Sequence, residues 1–286
     1  MIDPAPTATL VQLTDLHLVA EDDPLPGGVD TAAVLEAALR AVEESTLAPA
    51  AIVLTGDLTE NGRPAQYRRL RAIVEPAAQR IGAPLVHAAG NHDDRAALRE
   101  HLLGEPPSAG PLDHVVRLGD LRIVVLDSTV PGHPHGALRP EQLAWLRAEL
   151  AAPAPAGTVL ALHHPPLPSA APLAASIPLL RRADLAEAVA GSDVRVVLAG
   201  HTHVVSAGTL AGVPVWTGGP LATTLDGLAP GAALRGLATP SVTRIDLFAD
   251  GGLITTSVPV GARRMTDVPA EEMEPALARF RAALTT

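Results

Sequence analysis

The 286 residues are enough for one large domain or two small ones, and 47% hydrophobic with 18% charged residues is typical of a soluble globular protein. The formal net charge of −10 argues against a broad electrostatic contact with a nucleic acid polymer, which needs clustered basic residues. The absence of cysteine excludes a disulfide scaffold and thiolate metal ligands.

The beginning of the chain, MIDPAPTATLVQL, has no basic region followed by an apolar core. No uninterrupted apolar run reaches the ~18 residues that a membrane-spanning helix needs. We therefore expect no signal peptide, no transmembrane segment and a cytoplasmic protein.

In the first half of the chain, short apolar runs that predict buried strands alternate with amphipathic segments that predict helices. Capping residues fix the helix ends: Asp30 and Asp93 are expected N-caps, Pro64 and Pro140 suit a first turn, and Gly82 suits a stop. The predicted helices cover residues 31–44, 64–80, 95–103, 140–150 and 184–190.

From about Val115 the predicted strands shorten and pair. Three stretches place a glycine-containing turn between two β runs, which predicts hairpins: VVRLGDLRIVVLD, TLAGVPVWTGG and SVTRIDLFADGGLITTSV. We expect an α/β fold of two stacked sheets, mostly parallel at the centre and antiparallel at the edges, with helices outside.

No long linker divides residues 1–268, which we expect to form one domain. Residues 269–286 form a helical tail, whose apolar stripe (Met273, Leu277, Phe280) is expected to pack on or beside that domain.

Five short polar blocks each follow one of the apolar runs. Because open α/β sheets bind ligands beyond the carboxyl ends of their strands, we expect these blocks to meet at one site. Their oxygen and imidazole donors are enough for two metal ions that share the Asp57 carboxylate, and donors without sulfur suit Mn, Fe or Zn. The blocks are Asp15-Leu16-His17, Gly56-Asp57, Gly90-Asn91-His92-Asp93, His163-His164 and Gly200-His201-Thr202-His203.

Other histidines have simpler explanations. His87 lies on a predicted strand and is expected to be a core residue or an outer residue of the site. His133 and His135 repeat the metal-binding spacing in PGHPHG but lack a carboxylate companion. We interpret them as loop residues that border the substrate pocket. Strand alternation lets only one of His163 and His164 face the site.

The order D-x-H, G-D, G-N-H-D, H-H-P-P, G-H-x-H resembles the calcineurin-like metallophosphoesterases, and within them the class III bacterial cyclic nucleotide phosphodiesterases. The resemblance extends over about residues 8 to 260 and implies a four-layer α/β/β/α sandwich of two mixed sheets. It also implies a homodimer and two metal ions, Fe and Mn in the first place and Zn as an alternative. One ion would be held by Asp15, His17, Asp57 and His203, the other by Asp57, Asn91, His163 and His201.

The implied activity is hydrolysis of 3′,5′-cyclic nucleotides such as cAMP to 5′-monophosphates by a metal-bridging hydroxide. His92 is the expected catalytic acid, with Asp57 or Asp93 orienting its imidazole. The motifs handle phosphate and metal rather than the organic group. A broader phosphodiesterase, acting on 2′,3′-cyclic nucleotides, glycerophosphodiesters or nucleotide pyrophosphates, is therefore the alternative. A non-catalytic metal-bound interaction protein is a remote one, which the intact ligand set opposes.

Overall fold

Two mixed β-sheets form the centre of the computed structural model, which describes residues 5–20, 25, 28–45 and 47–283. The first sheet has the order β13-β12-β1-β2-β3 and the second the order β4-β5-β6-β7-β9-β8, with a small β10-β11 ladder apart from both. The strands are β1 (Ala8–Leu13), β2 (Ala51–Thr55), β3 (Leu85–Ala88), β4 (His114–Leu118), β5 (Leu121–Val125), β6 (Thr158–Ala161), β7 (Val194–Ala199), β8 (Ser206–Leu210), β9 (Val213–Thr217), β10 (Thr224–Leu225), β11 (Gly236–Leu237), β12 (Ser241–Leu247) and β13 (Leu253–Pro259).

Strand directions confirm the predicted arrangement. The central strands β1, β2 and β3 run parallel to one another, as do β5, β6, β7 and β9. All three predicted hairpins are confirmed as the antiparallel pairs β4/β5, β8/β9 and β12/β13, which supply sheet edges.

Three separate apolar clusters lie between the layers. Residues alternate along β1, so that Leu10 faces the second sheet while Val11 and Leu13 face the helices. One cluster joins the first sheet to its helices, one joins the two sheets, and one joins the second sheet to its helices. The helices are α1 (Thr31–Glu43), α2 (Pro64–Ile81), α3 (Arg95–Leu98), α4 (Pro140–Leu150), α5 (Pro172–Ala175), α6 (Arg182–Val189) and α7 (Ala270–Ala283). The order of layers is therefore α/β/β/α, as expected.

The helix ends agree with the capping residues except at Asp93. Asp30 accepts a hydrogen bond from the backbone N–H of Ala33, and Gly82 ends α2 in the left-handed conformation. Asp93 was expected to cap α3, but the N-cap is Asp94, which accepts from the Ala97 N–H at 2.8 Å. The prediction for Asp93 is wrong because its carboxylate accepts hydrogen bonds from other donors, described with the site. Beyond α3 the chain widens into a π-helical turn, Arg99–Leu103.

The tail helix is confirmed as α7, and residues 284–286 lie outside the described part of the chain. The side chains of its apolar stripe are partly exposed, Met273 by 43%, Leu277 by 37% and Phe280 by 68%, and the packing of the tail on or beside the domain stays a prediction. The boundary at residue 268 stays a prediction. Among the described residues, no helix combines the length and the apolar character needed to cross a membrane.

His87 lies on β3, is half-buried and does not line the cavity at the polar blocks, so it is not an outer residue of the site. Its Nε2 is buried and has no hydrogen-bond partner among the described residues. Burial, with His114 as the smaller cause, lowers the pKa of His87 to about 4. An unfolded imidazole titrates near 6.5, so the stability that neutral His87 contributes is complete above about pH 6.5. It is lost as the pH falls toward 4.

We expect His87→Leu to reduce the acid sensitivity of folding. Between pH 7.5 and 5.5 the metal-stripped wild-type protein should lose about 1 kcal/mol more unfolding free energy than the variant, because only the wild type has an imidazole at position 87 that takes up a proton on unfolding. Urea unfolding at both pH values measures this difference. His133→Leu, an exposed loop histidine, is the control and should behave as wild type. An equal loss in wild type and His87→Leu would contradict the prediction.

Candidate functional site

The five polar blocks meet at one place. They follow β1, β2 and β3 of the first sheet and β6 and β7 of the second, so the site lies at the carboxyl ends of both sheets. All seven predicted ligands are brought together there. Oδ2 of Asp57 lies 3.3 Å from Nε2 of His163 and 3.5 Å from Nε2 of His17. Oδ1 of Asn91 lies 3.2 Å from Nε2 of His163, and Nε2 of His203 lies 3.5 Å from Oδ1 of Asp15.

The backbone of the site is held in an uncommon conformation. Five of the seven predicted ligands have φ between 43° and 69°, which costs non-glycine residues conformational energy: Asp15, His17, Asp57, His201 and His203. Backbone hydrogen bonds from Asp15 N to Gly56 O and from His17 N to Asp57 O hold the first two blocks together. The structure thus maintains strained residues at the position where all five blocks converge.

Two glycines of the motifs allow the blocks to approach. A Cβ on Gly56 would overlap the ring of His163, and a Cβ on Gly90 would overlap Asp57. Gly56 also has φ 91°. Close packing therefore requires a glycine at both positions, and the backbone turn requires one at Gly56.

Four histidines each offer one free ring nitrogen to the centre of the site. A carbonyl or carboxylate oxygen can only accept, so the ring nitrogen facing it carries the proton. Nδ1 of His17, His163 and His203 donates to Glu60 Oε2 (2.6 Å), the Thr55 carbonyl (2.9 Å) and the Thr223 carbonyl (2.6 Å). Nε2 of His201 donates to the Ile177 carbonyl at 2.8 Å. In the neutral form of each ring, the opposite nitrogen keeps its lone pair.

This donor set fits metal cations. Nε2 of His17 and Nε2 of His203 are only 3.1 Å apart, next to the buried carboxylates of Asp15 and Asp57. Lone pairs and carboxylates at this spacing need a positive charge between them. Histidine ligands whose other nitrogen donates to a carbonyl or carboxylate are the usual arrangement at protein metal sites.

His164 differs from its neighbour in this respect. Nδ1 lies 2.9 Å from the hydroxyl of Ser128, and Nε2 lies 3.1 Å from the carbonyl of Pro134. Both ring nitrogens are therefore occupied by the protein, although the ring is close enough to His163 and His201 to form a possible ligand group with them. The hydrogen bonds favour His163 over His164 as a ligand.

The titration behaviour of the site shows how strongly it attracts positive charge. Burial opposes ionisation of Asp57, but His163 outweighs it and holds the pKa of Asp57 well below its usual range. Burial likewise opposes a charge on His163, but Asp57 raises its pKa to about 9. For His201, burial and the neighbouring charge of His163 outweigh the carboxylates of Asp57 and Asp15, and its pKa is lowered to about 4. Protons thus balance the carboxylates in the protein alone, and a bound cation displaces them.

His92 stands at the edge of the site and is 37% exposed. Its Nδ1 donates to the backbone carbonyl of Glu60 at 2.9 Å and lies 3.7 Å from the carboxylate of the same residue. Asp57 accepts only the backbone N–H of His92, at 2.9 Å. The expectation that Asp57 or Asp93 orients the imidazole is therefore wrong, and Glu60 performs this role.

Asp93 supports the site from below. Its half-buried carboxylate accepts hydrogen bonds from the Leu58 N–H (3.0 Å), the Gly90 N–H (2.9 Å) and the Tyr67 hydroxyl (2.9 Å). Burial raises its pKa to about 6. These contacts join the loops that carry Asp57 and Asn91.

A cavity of about 440 Å³ opens above the site. Its floor is polar and includes His17, Asp57, Asn91, His201 and His203, with Glu60 and His92 beside them. His133 and His135 do not line it, so their predicted position at the substrate pocket is wrong. A volume of this size is within the range of small-molecule sites, about 300–1,000 Å³.

Comparison with known proteins agrees with this geometry. The sequence profile of the calcineurin-like phosphoesterases matches residues 8–205. A cAMP/cGMP dual specificity phosphodiesterase of Mycobacterium tuberculosis is 50% identical over 212 residues, 74% of this chain and 67% of that protein. A protein of Rhodococcus erythropolis named "Probable cyclic nucleotide phosphodiesterase" is 42% identical over 95% of this chain and 90% of that protein. A dimetal phosphatase from Danio rerio has the same fold, with a TM-score of 0.65 at 15% identity, over 90% of this chain and 98% of that one.

Proposed function

Because the chain belongs to the calcineurin-like phosphoesterase family, we propose that it is a metal-dependent phosphodiesterase that hydrolyses 3′,5′-cyclic nucleotides to 5′-monophosphates. The observation that carries the proposal is the set of imidazole lone pairs and carboxylates that converge at the floor of a substrate-sized cavity. The names of the two similar proteins support the cyclic nucleotide as substrate.

The seven converging residues form two ligand sets that share Asp57. Asp15, His17 and His203 complete the first set, and Asn91, His163 and His201 complete the second. When bound, the two ions supply Lewis acidity, which activates water and neutralises the charge that develops on phosphate oxygens. Glu60 and the carbonyls of Thr55, Thr223 and Ile177 keep the four imidazoles in the tautomers that ligation needs.

His92 is the proposed general acid for the 3′ oxygen that leaves. The backbone carbonyl and the carboxylate of Glu60 both lie near Nδ1 of His92. Nε2 is therefore the ring atom that can deliver a proton into the cavity. After the transfer, the neutral ring keeps its remaining proton on Nδ1, where the Glu60 carbonyl accepts it. The ring also contacts His17 edge to face, with centroids 4.7 Å apart, which limits its rotation.

The identity of the metals, the homodimer and the cytoplasmic location stay predictions. Fe and Mn are the expected ions, and metal analysis of the protein as isolated from cells would identify them. The homodimer is testable by light scattering, and the cytoplasmic location by cell fractionation.

The proposal is tested with metal-stripped protein. Hydrolysis of 3′,5′-cyclic AMP should be absent, and added Mn²⁺ should restore it, because the lone pairs of the site then hold the ions that the reaction needs. The 2′,3′-cyclic isomer is assayed in parallel. Turnover of the 2′,3′ isomer alone would support the proposed metal site but contradict the proposed 3′,5′-cyclic substrate. Activity that persists without metal would overturn the mechanism.

A further inference from the structure

The cavity above the site has two chemically different ends. Apart from the predicted ligands, Glu60, His92 and Thr223 carry the only polar side chains among its described lining residues. The rest of the described lining is aliphatic, and no Phe, Tyr or Trp contributes to it. A 3′,5′-cyclic nucleotide has a matching asymmetry, with an anionic phosphate at one end and a flat, uncharged base at the other.

One aliphatic wall is the segment of α5. Leu173, Ala174 and Ile177 line the cavity, and Leu173 is 52% exposed. The segment is fixed to the site, because the carbonyl of Ile177 accepts the hydrogen bond from Nε2 of His201. The wall therefore stands at a set position relative to the phosphate-binding end.

A second aliphatic wall is the β10/β11 hairpin. Leu225 and Leu234 line the cavity from it, and Leu234 is 66% exposed. Leu225 N–H donates to the carbonyl of His203 at 2.8 Å, so this wall is also fixed to a predicted ligand. The ion pair between Arg235 and Asp226, at 2.6 Å, joins the two sides of the hairpin.

We propose that these two walls form a leucine clamp, composed of Leu173, Ile177, Leu225 and Leu234, that holds the nucleobase by apolar contact alone. This inference rests on the proposed function and names how the same site recognises its substrate. Adenine and guanine differ in the donors and acceptors on their edges, and aliphatic side chains cannot distinguish such groups. The clamp therefore accepts both purines alike.

The clamp also selects against polar organic groups. The hydroxyls of a glycerophosphodiester would lose water against leucine without gaining hydrogen bonds, which is unfavourable. Both faces of a base are apolar enough to enter. Discrimination among phosphodiesters thus arises from the apolar end of the cavity rather than from its ligands.

The test compares Leu173→Ser and Leu234→Ser with Leu228→Ser. Leu228 lies in the same hairpin, is 91% exposed and does not line the cavity, so it is the matched control. The substrates are cyclic AMP, cyclic GMP and methyl riboside 3′,5′-cyclic phosphate, which has no base. All three side chains are exposed enough that folding should be unaffected.

Each clamp variant should raise KM for cyclic AMP and cyclic GMP by the same factor, about fivefold, and leave kcat unchanged. KM for the baseless substrate should not change, and Leu228→Ser should match wild type. Binding of 5′-AMP, 5′-GMP and ribose 5-phosphate to Mn²⁺-loaded protein, measured by calorimetry, gives the same comparison without turnover.

If the wild-type protein binds base-bearing and baseless ligands with equal affinity, the clamp is overturned. Turnover of cyclic AMP in the same experiment would still support the proposed phosphodiesterase activity. A preference of more than tenfold for one purine would also overturn it. A third outcome is that no substrate is turned over, while 5′-AMP and 5′-GMP bind more tightly than ribose 5-phosphate and the clamp variants weaken this binding. That outcome would overturn the proposed function and uphold the clamp.

Discussion

Replacement of Asp57 by Asn should reduce kcat/KM for cyclic AMP by at least about 10³-fold, because the shared carboxylate is lost from both proposed ligand sets. The amide has nearly the same shape and can still accept the His92 N–H that Oδ1 of Asp57 now accepts at 2.9 Å. Its NH₂ group, however, can donate to the lone pairs of His17 and His163, which lie 3.5 and 3.3 Å from Oδ2. The variant thereby satisfies these imidazoles without a cation.

Bound metal provides the second measurement. After loading and dialysis, we expect less than one ion per chain in Asp57→Asn and about two in the wild type. Asp30→Asn is the matched control, since Asn caps a helix as well as Asp and Asp30 lies at the start of α1. Full metal content together with full turnover in Asp57→Asn would show that this carboxylate is not a shared ligand.

The sequence predicts those site residues that directly follow an apolar run in the chain. An apolar run followed by Asp, Asn or His places a polar side chain at the end of a buried strand, wherever the strand lies in the sheet. For that reason the blocks at Asp15, Asp57 and His201 could be assigned before the fold was known. The existence of two sheets, parallel at the centre and antiparallel at the edges, followed from the hairpins and the alternating helices, whereas the order of the strands was not predicted.

The residues that support the ligands could not be predicted in the same way. Glu60 binds His17 across 43 positions, and no local pattern distinguishes it from a solvated loop residue. Its only signal is its position in the loop that follows Asp57. The carbonyls of Thr55, Ile177 and Thr223 have no side-chain signature at all, since any residue supplies a carbonyl.

Asp93 and Asp94 show why neighbouring identical residues exchange roles. Either could cap α3 from the sequence alone. The choice depends on donors from elsewhere in the chain: the hydroxyl of Tyr67 and the N–H of Leu58 bind Asp93, which leaves Asp94 to accept from Ala97. Tertiary partners thus decide between two equivalent local solutions.

Replacement of His92 by Asn separates acid catalysis from metal binding. The amide nitrogen of Asn occupies nearly the position of Nδ1, so the carbonyl of Glu60 keeps its donor while the acid at Nε2 is removed. We expect kcat for cyclic AMP to fall by about 10²- to 10⁴-fold, because its leaving alkoxide needs a proton. With bis(4-nitrophenyl) phosphate, whose leaving group departs as a stable anion, the loss should be less than about tenfold.

Metal content decides whether this loss is specific. His92 is not in either proposed ligand set, so the variant should hold the same number of ions as wild type. His133→Asn, on an exposed loop away from the cavity, is the control and should keep full activity on both substrates. If both substrates lose activity equally while the ions remain, His92 binds phosphate rather than protonating the leaving group. If the ions are lost, the ring is part of the metal site, and the contact between His92 and His17 is the route by which it would act.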